Sequence, residues 1–225
     1  DELIVIDISR STETRWTFPR DDLRSKPPES MESFIQMIGV ECRIPLTFGG
    51  RIRTQQDVDK RIQNGADKVT INTAFSEAPD LVNATALRYG SQAIICCCDY
   101  RVDDDGEAIV YVDNGTRSTD MTLVDWVKMA VDLGAGEIML QNIDLDGCAR
   151  GYDIAGINQV CDAVNVPVIA CSGAGHQRHF LKCYEETDVG AVAAGNIFHF
   201  TENAYPRAKR YLREKGVNIR LHRDM

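Results

Sequence analysis

The chain has 225 residues, a formal net charge of −9, and 26% charged against 44% hydrophobic residues. An acidic balance with no basic stripe argues against a nucleic-acid binder, whose affinity rests on clustered Lys and Arg neutralising phosphates. No apolar run approaches the roughly eighteen residues of a membrane span and no signal peptide is read, so the expectation is a cytoplasmic protein with no membrane partner.

Taken in order, the chain opens inside a strand, Asp1-Glu-Leu-Ile-Val-Ile-Asp-Ile8. Residues 9–30 are polar and Pro-containing and read as a long loop, with Trp16 and Phe18 as its apolar anchors. Helical spacing covers Met31–Glu41, a strand Ile44–Phe48, and a helix from the cap Thr54 to about Asn64. Then come a strand Val69–Asn72, a helix Ala78–Arg88 and a strand Ala93–Asp99. Residues 100–120 hold an alternating segment, Ala108–Val112, and the turn signal Asn114-Gly115, which predict a β excursion. Beyond it the pattern gives a helix Met121–Leu133, a strand Glu137–Gln141, a helix Ile154–Val164 and a strand Val166–Ala170. A helix Gln177–Glu186, a strand Ala191–Ala194 and a helix Asn203–Lys215 complete it.

That makes seven short apolar strands, each followed by a helix, the pattern of parallel strands covered on both faces. Seven is one fewer than a (β/α)₈ TIM barrel requires. The expectation is therefore a single α/β domain over 1–225 comprising units two to eight of such a barrel, its first β/α unit missing from this sequence.

The pattern also repeats internally. Ile44-Pro-Leu-Thr-Phe-Gly-Gly-Arg-Ile52 and Val166-Pro-Val-Ile-Ala-Cys-Ser-Gly-Ala-Gly175 share an Xaa-Pro strand start, an apolar run and a glycine turn before a helix. Glycines at such a turn let backbone N–H groups approach an oxyanion at a helix N-terminus. Two copies argue for a half-barrel duplication and a ligand with a phosphate at each end.

In a barrel of this kind the chemistry sits at the C-terminal ends of the strands. Those ends carry Asp7, Gly49-Gly50, Asn72-Thr73, Asp99, Asn142, Asp144, Asp146-Gly147, Cys171 to Gly175, and Gly195-Asn196. Asp99 closes the apolar run Ala93–Cys98, where a low-dielectric surrounding suits a general acid/base. The alternative is a loop-capping carboxylate. At the opposite ends, Glu2, Lys68 and Glu137 each begin a strand and would form a charged plug, unless each is simply solvated. The eight cysteines show no Cys-x-x-Cys pair, and consecutive Cys96, Cys97 and Cys98 point to alternate faces, so they read as reduced, apolar thiols. His176 and His179 have metal-compatible spacing but no third ligand, and no metal or cofactor is expected.

Several segments together resemble the cyclase subunit of imidazole glycerol phosphate synthase: Asp1–Asp7, Gly65–Ala74, Tyr89–Ala93, Gly134–Ile138, Ile143–Gly147, Gly151–Asp153 and Gly216–Leu221. The resemblance spans nearly the whole chain apart from 9–30. It implies a (β/α)₈ barrel that receives ammonia from a glutaminase subunit docked on its N-terminal face. At the C-terminal face such a barrel uses the ammonia to cleave and cyclise a bis-phosphorylated ribulosyl precursor in histidine biosynthesis. Carried over by position, Asp99 is a catalytic aspartate, and Gly50, Asn72 and Thr73 serve one phosphate. Asp146, Gly147, Cys171, Gly173, Gly195 and Asn196 serve the substrate and second phosphate. Glu2, Lys68 and Glu137 become the ammonia gate, and Asp67 a contact to the glutaminase.

The chain also departs from that family. Its other catalytic aspartate belongs to the first strand, which this sequence lacks. Gly49-Gly50-Arg51 stands for Gly-Gly-Gly, Cys171-Ser172-Gly173 for Ser-Gly-Gly, and Gln141-Asn142 for Thr-Ser. These changes and the loop over 9–30 are similar to a paralogous branch in lipopolysaccharide and other surface-polysaccharide clusters, whose barrels conduct ammonia for amidation of a sugar.

Overall fold

The computed structural model describes residues 1–8, 28, 30–200 and 204–221, with the backbone alone at 199 and 200. Apart from Pro28 and Ser30, the loop expected over 9–30, with Trp16 and Phe18, lies outside the described residues. Contacts divide the chain into two compact units, Asp1–Ile94 and Ile95–Met225. Among the described residues no helix is long and apolar enough to cross a membrane.

In the first unit the elements are β1 (Leu3–Ile6), α1 (Met31–Glu41), β2 (Leu46–Gly49), α2 (Gln55–Gln63), β3 (Lys68–Ile71), α3 (Ala74–Glu77) and α4 (Pro79–Tyr89). The three strands are parallel, with Leu3 opposite Leu46 and Thr47 opposite Lys68. Both α1 and α2 begin at capping boxes, Ser30 with Ser33 and Thr54 with Asp57, in which each side chain accepts from or reaches back to the other's backbone. Their starts are therefore written in the sequence. α1 covers one face of the sheet through Ile35, Leu46, Phe48 and Ala66, flanked by Val5, Met31, Phe34 and Ile38, with Phe34 edge-on to Phe48 at 6.1 Å. Because strand side chains alternate, Phe48 on that face puts Thr47 and Gly49 on the other. Thr70 belongs with them, since its methyl lies directly against Gly49.

The second unit continues through β4 (Ile94–Val102), β5 (Ala108–Val112), β6 (Arg117–Thr122), α5 (Leu123–Asp132), β7 (Glu137–Asn142), α6 (Ile154–Ala163), β8 (Val168–Cys171), α7 (Gln177–Glu186), β9 (Ala191–Val192), α8 (Ile197–Phe200) and α9 (Ala204–Glu214). β4, β7, β8 and β9 are parallel in that order, while β5 and β6 return antiparallel from β4 as the expected excursion. The helix expected from Met121 starts at Leu123, because Met121 and Thr122 complete β6 and the Thr122 hydroxyl then caps α5 by accepting from the Asp125 N–H at 3.2 Å. Trp126, Leu123, Val127 and Ala130 on α5 are fully or almost fully buried, as are Ile138 and Leu140 on β7. Farther along, the rings of Tyr152, Phe180, Phe198 and Tyr205 succeed one another at 5.8 to 6.3 Å. All eight cysteines are free thiols.

Candidate active site

The end of β2 is held from two sides. Gly50 has φ +81°, and a Cβ there would stand 2.1 Å from the Asp7 carbonyl oxygen, so only glycine lets β1 come this close. The Asp7 N–H continues the ladder by donating to the Gly49 carbonyl at 2.9 Å. From α2, Arg61 reaches under the turn and donates through Nη2 to the Gly50 carbonyl at 2.7 Å and through Nη1 to the Asp57 carbonyl at 2.8 Å. Arg51 follows with φ +55°, the left-handed conformation that suits glycine. At the neighbouring strand end, Asn72 and Thr73 are half-buried and open α3, their carbonyls accepting from the N–H groups of Phe75, Ser76 and Glu77.

At the other end of this sheet Lys68 Nζ meets Glu2 Oε2 at 3.0 Å, with the Lys68 side chain only 16% exposed. Strand alternation puts Lys68 on the face of Thr70, and two buried hydroxyls, Thr47 and Thr70, line that face without a hydrogen-bond partner. Two members of the expected plug are thus brought together in this unit. Glu137, half-buried at the start of β7, belongs to the other. Asp67 is exposed and its carboxylate accepts from the Leu46 N–H at 2.8 Å, so it also fixes the start of β2.

In the second unit the strand register aligns three of the polar strand ends. Asp99 lies opposite Gln141, and Gln141 opposite Cys171. Asp99 is half-buried and accepts a hydrogen bond at 3.3 Å from the Cys97 thiol, two residues back on the same face. Burial pushes the Cys97 thiol well up, and the Asp99 charge adds to it, so this sulfur remains a proton donor. Burial likewise pushes the Cys171 thiol up to about 11, opposed by the Ser172 N–H and reinforced by Asp146 and Asp99. Cys171 therefore stands at the site as a neutral thiol.

The opposite face of the same strands carries a network that sequence reasoning missed. Tyr100, 1% exposed, donates to Asp153 Oδ2 at 3.0 Å, and Asn142 Nδ2 donates to the same oxygen at 3.2 Å. Asp153 Oδ1 accepts the Gly156 N–H and caps α6, while Asn142 Oδ1 accepts the Asp144 N–H. One half-buried carboxylate thus ties the ends of β4 and β7 to the loop that carries Asp144, Asp146 and Gly147. Arg101 extends the tie outward, lying 3.5 Å from Asp144 and over the Tyr111 ring at 5.2 Å.

The turn after β8 is supported by backbone. Gly173 has φ +81°, and its would-be Cβ lies 2.1 Å from the Gly151 carbonyl oxygen. The Gly151 N–H donates to the Gly173 carbonyl at 2.8 Å. Ser172 takes φ +70°, is 6% exposed, and keeps its hydroxyl without a partner. Gly195 and Asn196 are exposed beyond β9, Asn196 coming near Gly147, and the Tyr152 hydroxyl anchors that segment by donating to the Ala193 carbonyl at 2.9 Å.

His176 and His179 have their ring centroids 6.5 Å apart, but each uses Nδ1 to accept a backbone N–H, from Arg178 and from Gly175. They secure the start of α7, and burial first, then His176 and Lys182, lowers the pKa of His179. Among the described residues no His, Cys, Asp and Glu group of metal-binding size occurs. His222 and the side chain of His199 lie outside the described residues.

Residues 22–204 match the family described as "Histidine biosynthesis protein". Three relatives carry the name imidazole glycerol phosphate synthase subunit HisF. The protein of Geobacillus thermodenitrificans is 40% identical, and that of Hydrogenobaculum sp. 38%, each over 98% of this chain and 82% of its own. The protein of Lysinibacillus sphaericus is 40% identical over 98% of this chain and 83% of its own.

Proposed function

The chain belongs to the histidine biosynthesis protein family, an α/β family of (β/α)₈ barrels, and we infer that it is the cyclase subunit of imidazole glycerol phosphate synthase. The observation that carries the reading is the similarity over 98% of the chain to subunits of that name. In this role the chain takes ammonia made by a glutaminase subunit and uses it to cleave and cyclise a bis-phosphorylated ribulosyl precursor. Asp99 is the general acid/base. The thiol of Cys97 donates to Asp99 Oδ1 and so helps to orient the carboxylate at the strand end.

The two glycine turns are the phosphate sites. In the first, Gly50, Asn72 and Thr73 receive one phosphate; in the second, Gly173, Gly195 and Asn196 receive the other, with Asp146, Gly147 and Cys171 beside the reacting atoms. Backbone N–H groups at such turns bind an oxyanion without the desolvation cost of a buried lysine. Glu2, Lys68 and Glu137 admit ammonia, with Lys68 held in place by Glu2, and Asp67 contacts the glutaminase.

Ammonium salt replaces the glutaminase in the decisive assay, since dissolved ammonia reaches the site unaided. The protein is expected to form imidazole glycerol phosphate under these conditions. Replacing Asp99 by Asn removes the proton carrier and should lower turnover about a thousandfold with the circular dichroism unchanged. Unaltered turnover in that variant would remove Asp99 from the mechanism. No product from folded wild-type protein that still binds a glutaminase would instead mark an ammonia conduit for another acceptor, the amidated sugar of the paralogous branch.

A further inference from the structure

Arg61 sits where α2 should be apolar. It follows the fully buried Val58 by three residues, the spacing that keeps a side chain on the core face, and it is itself only 7% exposed. A guanidinium so placed loses its water and must be repaid by hydrogen bonds and opposite charge. The bonds are those to the Gly50 and Asp57 carbonyls. Burial is the largest influence on its pKa and lowers it, offset by the charges of Asp57, Asp7 and Glu32.

The bond to Gly50 has a directional consequence. No cis peptide occurs among the described residues, so the C=O of Gly50 and the N–H of Arg51 point in opposite directions across one rigid plane. Fixing the carbonyl toward α2 turns the Arg51 N–H away from α2.

We propose that Arg61 is a positioning residue for the first anion turn: by holding the Gly50 carbonyl it aims the Arg51 N–H at a bound phosphate oxygen. This rests on the turn being a phosphate site, as argued above, and adds a residue that touches neither substrate nor any reacting atom.

The test replaces Arg61 by Met, which keeps the unbranched apolar stem and the helix propensity and removes both donors. In the ammonium-driven reaction, KM for the bis-phosphorylated substrate should rise about tenfold, with kcat within about twofold, as for one misaimed hydrogen bond to a charged group. Inorganic phosphate, used as a competitive inhibitor, should weaken in step. Arg61→Lys retains one donor and is expected to recover most of the lost affinity. Should the Met variant not fold, Arg61→Gln, too short to reach both carbonyls, should show the same rise in KM. A fall in melting temperature with KM and phosphate inhibition unchanged would reduce Arg61 to a structural residue and overturn the proposal. If wild type does not turn over, calorimetric titration with inorganic phosphate separates the two ideas. Binding by wild type that the Met variant loses keeps the role of Arg61 while rejecting the cyclase, and equal binding by both rejects the role.

Discussion

The turns after β2 and β8 come from copies of one sequence design, yet they are supported differently. After β2 a single buried side chain, Arg61, takes the Gly50 carbonyl, and the adjoining strand presses on Gly50 itself. After β8 the support is peptide on peptide, Gly151 N–H to Gly173 carbonyl, with Tyr152 holding the next strand end. Where β1 leaves room only for glycine, the second copy closes against the loop containing Gly151. Both turns also place a non-glycine residue in left-handed backbone, Arg51 at φ +55° and Ser172 at +70°. The two turns thus share left-handed backbone, while the means of holding it differ.

The largest effect tests what the two copies share. Gly50→Ala and Gly173→Ala each drive a methyl to within 2.1 Å of a backbone oxygen at a positive φ. Each should cost about 3 kcal/mol in urea unfolding, and neither neighbour can yield as a flexible side chain would. If one variant unfolds at the wild-type midpoint, that turn is not held as described and the comparison fails there. The intermediate effect tests what they do not share. Tyr152→Phe removes one buried donor from the Ala193 carbonyl and should cost about 1 kcal/mol, with KM raised a few-fold through Gly195 and Asn196. Steady-state kinetics beside the Arg61 variants would show whether each side chain acts on its own turn, as additive free energies in the double variant require.

Much of this was legible because it is local. The capping boxes at Ser30 and Thr54 mark two helix starts, and α1 and α7 occupy the ranges that periodicity gives, Met31–Glu41 and Gln177–Glu186. β6 escaped because Arg-Ser-Thr-Asp-Met-Thr lacks apolar alternation and is set by pairing with β5. The short helices α3 and α8 have too few residues to show a period. At the site, the polar strand ends could be named from the pattern alone. Tyr100 with Asp153 could not, being 53 residues apart and joined only by the fold. Arg61 was in principle visible: a charge three residues after Val58 on the buried stripe is read by habit as solvated, and its burial marks a task.

The smallest effect has the opposite sign. Ser172 replaces the glycine that this position favours, and holds a buried hydroxyl with no partner, two costs that the fold bears at a strand end beside the proposed second phosphate. Ser172→Gly relieves both, although glycine gives back part of the gain through the greater freedom of the unfolded chain. A net stabilisation of about 0.5 to 1 kcal/mol is expected, read as a higher urea midpoint at unchanged m-value. Substrate affinity supplies the discriminating readout. Should KM rise while stability improves, the hydroxyl is a ligand-facing donor retained at a cost in folding energy, and the second turn too depends on a side chain. An unchanged KM leaves it a turn of backbone alone, in contrast to the one that Arg61 holds.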